Sequence, residues 1–210
     1  VEKDFTKASE LLQLSAENGY IDAAFGLAEL YTVGQGVPQD YSKAVEWFEK
    51  AAEAGHPRAQ SNLGTFYVEG QGVEKNEMEA FKWFKKAADI GEPYGLYNLG
   101  YLYETSEQVE QNLIEAYKCY SLAAETLSKL STDFGLPLDP LFYKARQLRD
   151  DLADKLSGAE LKAAIDASSK FIRQKYEENR EMLRKNLTKE QNSEISETLN
   201  EIEPSKSSLE

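Results

Sequence analysis

One residue pattern recurs along this chain at a fixed spacing of 36 residues, and that periodicity restricts the fold more than any local feature. Ala59, Gly70, Val73, Ala80, Trp83, Ala87, Ala88 and Gly91 return, 36 positions earlier, as Ala23, Gly34, Val37, Ala44, Trp47, Ala51, Ala52 and Gly55. Val1, Asp4, Ala8, Ala16 and Gly19 hold the same register one step earlier still. A period of roughly 20–50 residues marks a stacked array, in which each unit buries its apolar face only against its neighbours. The register predicts a half repeat at 1–19, full repeats at 20–55, 56–91 and 92–127, a C-terminal helical cap at 128–187 and an acidic tail at 188–210. The half repeat starts in mid-unit and crowds Phe5, Leu11, Leu12 and Leu14 into one short segment, which suggests a fragment of a longer protein.

Each full unit reads as helix, Gly-rich turn, helix. In the first, Ala23, Leu27, Leu30 and Tyr31 lie three to four apart, the spacing of a helix with one buried face. Gly34-Gln35-Gly36-Val37 ends it, because glycine accepts the left-handed conformation of a helix C-terminus. Asp40 is an N-cap for the second helix, with Asp4, Asn76 and Asn112 in the same column. Ala44, Trp47, Phe48, Ala51 and Ala52 form its buried face. The third unit departs from the pattern: Ser106 and Gln108 replace the turn glycines, and Cys119 stands in the Trp47/Trp83 column. A looser or longer turn is expected there.

Beyond the repeats, 128–138 reads as a turn-rich connector. Asp139-Pro140 opens a helix with Leu141, Ala145, Leu148, Leu152 and Leu156 on one face. Ser157-Gly158-Ala159-Glu160 has capping-box form. A long helix follows, with a sparse stripe of Leu161, Ile165, Ser168, Ile172, Tyr176, Leu183 and Leu187. That interrupted stripe favours packing on the array over pairing with a second copy. The tail is acidic and serine-rich, the composition of a flexible segment.

Composition limits function. With 24 basic against 37 acidic residues, the formal charge is −13, which argues against nucleic acid or anionic membrane as partner. No apolar run is long enough for membrane insertion. A single cysteine excludes an internal disulfide framework and leaves cytoplasmic and periplasmic settings open. His56 is the one histidine, so His-based triads and multi-His metal sites are excluded. Asp150, Asp151 and Asp154 cluster, but without His or Cys partners they read as a solvated helix face. Gly70-Gln71-Gly72 lacks the context of a phosphate loop. No catalytic residue, cofactor site or metal site is expected, and the chain is not read as an enzyme.

Ala59, Leu63, Gly64, Tyr67, Gly70, Gly72, Val73, Ala80, Trp83, Phe84, Ala87, Ala88 and Gly91 together resemble the Sel-1-like repeat, a relative of the tetratricopeptide repeat. The resemblance implies an all-α, right-handed solenoid, of bacterial origin, acting as a protein–protein interaction scaffold or adaptor. The chain lacks the cysteine pair that the disulfide-closed branch of that family carries in each repeat.

Variation between repeats nominates a binding face. On the first helix of each unit, positions +0, +3, +4 and +7 face away from the core stripe. They hold Asp22, Phe25, Gly26 and Glu29; Arg58, Ser61, Asn62 and Thr65; Tyr94, Tyr97, Asn98 and Tyr101. With the family's hand, the three sets line the concave wall of the array. The candidate partner-binding residues are Phe25, Glu29, Arg58, Ser61, Asn62, Thr65, Tyr94, Tyr97, Asn98 and Tyr101. The tyrosines offer rigid amphipathic area, the two asparagines can hold a peptide backbone, and Arg58 can meet a carboxylate. Competing readings are open: the asparagines bond within their hairpins, the tyrosines fold down against the C-terminal helices, and Phe25 once lay under upstream repeats. The alternative function is a cell-envelope regulatory or glycan-directed module that stacks aromatic rings on sugars.

Overall fold

The computed structural model describes residues 5–186. Among them are α1 (Phe5–Glu17), α2 (Ile21–Val33), α3 (Tyr41–Glu53), α4 (Pro57–Glu69), α5 (Glu77–Ile90), α6 (Pro93–Thr105), α7 (Leu113–Phe134), α8 (Pro140–Ala153) and α9 (Gly158–Asn186), with no strand. One compact unit ends at Ser168 and a second begins at Ser169, within α9. In the first unit the helices pack in chain order as α2/α3, α4/α5 and α6/α7 hairpins, an all-α helical-repeat solenoid.

Local chemistry starts and stops each helix. Asp40, Asn76 and Asn112 cap α3, α5 and α7, each accepting the N–H three residues on at 3.0–3.1 Å. Such a cap contributes about 1 kcal/mol. Asp4, the fourth member of that column, lies outside the described residues. Gly70 ends α4 at φ 68°, its N–H donating to the Phe66 carbonyl at 2.8 Å. Gly72 has a different role. A Cβ there would stand 2.4 Å from the Tyr41 carbonyl carbon, so the turn lies directly on the first turn of the preceding α3.

The hairpins close through one small column and one aromatic column. A Cβ on Gly64 would come within 2.5 Å of the Phe84 ring, and one on Gly100 within 3.0 Å of the Tyr120 ring. Phe48, Phe84 and Tyr120, one per repeat, are among the most deeply buried side chains, together with Ala28 in the glycine column. Lys50 and Lys86 cover Trp47 and Trp83 with their ammonium groups 3.6 and 3.7 Å from the ring centroids.

Three expectations are corrected. The turn of the third repeat, residues 106–112, is no longer than 34–40 and 70–76. The Ser106 hydroxyl accepts the N–H groups of Gln108 and Val109 at 3.1 Å and donates to Glu77 Oε2 at 2.7 Å. A side chain thus satisfies the turn that glycines satisfy elsewhere. Second, the connector is only 135–139, because 128–134 extend α7. Gly55 and Gly91 stop the second helix of their repeats, but that column holds Leu127, which is buried, and α7 runs on to a left-handed Gly135. Third, of the expected α9 stripe Ser168 is buried and Leu161 and Ile172 half-buried, but Ile165 is 46% exposed and the neighbouring Ala164 is buried instead. Ala164 and Ser168 are one helical turn apart and share a side of the helix. Leu187, the tail 188–210 and the side chains of Tyr176 and Leu183 lie outside what is described.

The expected caps beyond the repeats are present. Asp139 accepts the Leu141 N–H at 2.8 Å, and Ser157 and Glu160 bond reciprocally through side chain and backbone. On α8, Ala145 and Leu152 are fully buried and Leu141 and Leu148 half-buried; the helix ends at Ala153, so the expected Leu156, also half-buried, lies just beyond it. In the second unit α9 carries Gln174 and Lys175 bonded to Glu178 on its surface.

Gly72→Ala adds a methyl group against backbone and strains a positive φ. It is expected to cost about 2–4 kcal/mol, against about 1–2 kcal/mol for Gly55→Ala, where nothing lies within 4 Å. Urea unfolding followed by circular dichroism measures both; equal losses would show that the turn does not bear on α3.

Candidate protein-binding face

The four nominated positions on α2, α4 and α6 separate by column. The +3 column (Phe25, Ser61, Tyr97) is buried in all three repeats, contrary to the expectation that it lines an open wall. The +0 column (Asp22, Arg58, Tyr94) is exposed throughout, the +4 column (Gly26, Asn62, Asn98) is half-buried, and at +7 Glu29 and Thr65 are half-buried while Tyr101 is exposed. The cause is stacking. Opposite the hairpin core, each first helix meets the first helix of the next repeat, and the +3 position points into that seam.

Specific contacts define the seam. The Phe25 ring lies 4.3 Å from the His56 ring, nearly parallel to it, with the Arg58 guanidinium 4.9 Å away and the Phe48 ring at 5.9 Å. Phe25 is therefore covered from within this chain. Arg58 also pairs with Glu29 at 3.5 Å, an exposed contact of small energetic weight. The Ser61 hydroxyl donates to the Arg58 carbonyl at 3.2 Å. Asn98 Nδ2 reaches Thr65 Oγ1 at 3.5 Å, so this asparagine bonds between repeats and not within its hairpin. Tyr97 packs at 5.7 Å from Tyr120.

No spacing rule in the chain pointed to α8 as part of this layer. The Tyr94 hydroxyl donates to Asp139 Oδ2 at 2.7 Å, Lys144 stands 5.3 Å from the Tyr97 ring, and Lys155 pairs with Glu104 at 3.1 Å. Three links in the same order along both helices set α8 beside α6. The sequence showed Asp139 only as a cap, because α8 lies outside the repeat register. The Asp139 contact, with burial, pushes the Tyr94 phenol up to about 12. Two tyrosines thus do bear on the C-terminal helix, while Tyr101 remains 47% exposed.

Residues at the start of α4 and α6 perform one task with different chemistry. His56 Nδ1 accepts the Ala59 N–H at 3.1 Å, which assigns the ring proton to Nε2, 3.7 Å from Asp22. Burial lowers the His56 pKa more than Asp22 raises it. Glu92 Oε2 accepts the Gly95 N–H at 2.5 Å, and burial raises its pKa against the pull of that bond. Cys119 is fully buried, which pushes its thiol up to about 12, a position for packing and not for nucleophilic chemistry. Among the described residues no group of three His, Cys, Asp or Glu could hold a metal ion. No described helix is long and apolar enough to cross a membrane.

Helical hairpins each closed by a glycine–aromatic contact and packed in series, with a layer of first helices carrying the variable residues, define an α-solenoid of the tetratricopeptide-like class. The chain belongs to the Sel1 repeat family: residues 1–20, 21–56, 57–92 and 93–125 each match it. Among solved structures it is similar to a Sel1 repeat protein from Oxalobacter formigenes, with 28% identity and a TM-score of 0.57 over 77% of this chain and 70% of that one. A protective antigen of uropathogenic Escherichia coli strains, displaying an SLR fold, is 30% identical with a TM-score of 0.54 over 72% of this chain. The match covers 34% of that antigen, so the present chain spans about a third of its length. No curated protein matches the chain. Sel1 repeat proteins generally mediate protein–protein interaction and are generally not catalysts.

Because the folded pKa of His56 lies below its usual 6.5, its stabilising contribution is complete above pH 6.5 and is lost as pH falls below it, where the unfolded chain takes the proton first. His56→Asn keeps a cap without a titrating ring. Between pH 7 and pH 5 the urea midpoint of the wild type should fall further than that of the variant; parallel profiles would remove His56 from the pH response. Cys119 should stay unreacted with a thiol reagent in native buffer and react in urea, as followed by absorbance.

Proposed function

We propose that this chain is a non-catalytic scaffold or adaptor that holds a segment of another protein against the outward face of α2, α4 and α6. One observation carries the reading: the half-buried Asn62 amide makes no hydrogen bond among the described residues. An amide both donates and accepts, so this group can bond the backbone of an extended segment in both directions. Its surroundings suit that role. Arg58 and Tyr94 flank it as exposed members of one column, and Tyr101 presents its ring one column further along. Tyr94 and Tyr101 are seven apart on α6 and share a side of the helix. The buried Phe25, Ser61 and Tyr97 support this face from beneath, and Asn98, Thr65 and Glu29 tie its helices together. Rigid tyrosines reduce the entropy lost on binding, as in many interface hot spots.

The test compares wild type with Asn62→Ala/Tyr101→Ala in capture of partners from the source cell. Neither side chain makes a hydrogen bond to another helix, so thermal midpoints should agree within a few degrees. A partner held by the wild type and lost by the folded variant supports the reading; equal capture refutes the assignment of this face.

A further inference from the structure

The turn of the third repeat departs from the register, and a cavity of about 410 Å³, open to solvent, lies there. It is lined by Met78 and Phe81 of α5, Tyr103 of α6, and Gln108, Val109, Glu110 and Asn112 of the turn between α6 and α7. Besides Gln108 of the turn, two of these residues break their columns. Met78 occupies the position of Thr6 and Ser42, and Phe81 that of Ser9 and Val45, whereas Tyr103 and Val109 keep the Tyr and Val of the other repeats. In the first two repeats the second turn glycine lies on backbone, that of Phe5 or Tyr41, and a serine hydroxyl, Ser9 or Ser42, meets its carbonyl at 3.4 Å. In the third, Gln108 replaces that glycine, Met78 replaces the serine of Ser42, and Ser106 anchors the turn through Glu77 instead. Small polar contacts have given way to large apolar ones around an open space. Met78 is 45% exposed, and the Phe81 and Tyr103 rings meet edge to face at 5.3 Å.

We propose that this cavity is a second protein-docking site, distinct from the face bearing Asn62, and that it takes one large aliphatic or aromatic side chain of a partner segment flanked by lysine or arginine. The apolar half of the lining selects the side chain, and the thioether of Met78 adapts to its shape. Charge selects the flanks. No cation lines the cavity and Glu110 does; beside it in sequence Lys75 and Lys82 are each paired with a carboxylate, Glu77 at 3.2 Å and Glu79 at 2.6 Å, while Glu74 and Glu107 stand exposed, on a chain of net charge −13. Tyr101 lies two positions from Tyr103, about 200° round α6, so the two sites use different sides of that helix.

The chain has two methionines, Met78 and Met182, so the methyl NMR spectrum of methionine-labelled protein reads the site directly. Met78→Leu identifies the signal. Acetyl-Lys-Lys-Leu-Phe-Lys-Lys-amide at millimolar concentration should shift it, and Phe81→Val, which restores the residue of the first repeat, should weaken binding roughly tenfold while keeping the probe. Asn62→Ala/Tyr101→Ala should leave the titration unchanged, which separates this site from the other face. An unmoved Met78 signal, or equal shifts with acetyl-Glu-Glu-Leu-Phe-Glu-Glu-amide or with acetyl-Lys-Lys-Ser-Ser-Lys-Lys-amide, would overturn the proposal.

Discussion

The fold depends on the close approach of the two helices in each hairpin, set by a column of Ala28, Gly64 and Gly100 against a column of Phe48, Phe84 and Tyr120. A missing side chain brings the backbones together, and a large ring fills the space beside them. Burying one such ring contributes about 2–3 kcal/mol, roughly as much as the caps and turn contacts of the same unit together. Because the pair repeats at every unit, there is no single core to assemble. Stability accumulates from hairpins and from their neighbouring seams, built on contacts close in sequence. The turns follow from the same constraint. With the helices held at one separation, seven residues suffice to cross from one to the other, whether closed by glycines or by the Ser106 hydroxyl.

What was legible in the sequence is what acts over a few residues. Caps at Asp40, Asn76, Asn112, Asp139 and Ser157, and stops at Gly34 and Gly70, depend on neighbours in the chain, so residue type and spacing sufficed. The period then supplied the stacking. The length of α7 was missed although its signal was present: Leu127 interrupts the Gly55/Gly91 column, and a missing stop matters as much as a stop. On α9 the stripe held at Ser168, Leu161 and Ile172 and, among the described residues, missed only at Ile165, which is exposed. Spacing marks the larger residues, and the buried Ala164 is too small to mark a face on its own.

The candidate face shows a limit of single-helix reasoning. Positions +0, +3, +4 and +7 do lie opposite the hairpin core, yet in a solenoid that side of the helix is shared between solvent and the next repeat. Phe25, Ser61 and Tyr97 could not be told from their neighbours by periodicity, and their identities (aromatic, small polar, aromatic) conceal a common burial. Only the positions of adjacent first helices divide seam from surface. Likewise α8, which carries no repeat motif, joins the layer through Asp139, Lys144 and Lys155, contacts that no spacing within the chain announces.

Columns that build the seams and columns that face solvent are under different physical demands, and the two kinds vary differently here. The aromatic, alanine and capping columns change little, since each must fit a neighbour of fixed shape. The exposed +0 column runs from Asp22 to Arg58 to Tyr94, and the +7 column from Glu29 to Thr65 to Tyr101. Each passes from acidic through polar or basic to aromatic along the array. No packing requirement orders such a gradient, because these side chains are at most half-buried. The +4 column, half-buried in every repeat, holds an amide in two of them: Asn98 bonds Thr65 of the preceding repeat, whereas Asn62 makes no hydrogen bond among the described residues. A framework that fixes backbone spacing so tightly can carry this variation at little cost to stability. The same freedom explains why α5 of the second repeat, once Ser106 had replaced a glycine as anchor of the turn lying on it, could carry Met78 and Phe81 where α3 has Ser42 and Val45, without disturbing the stack.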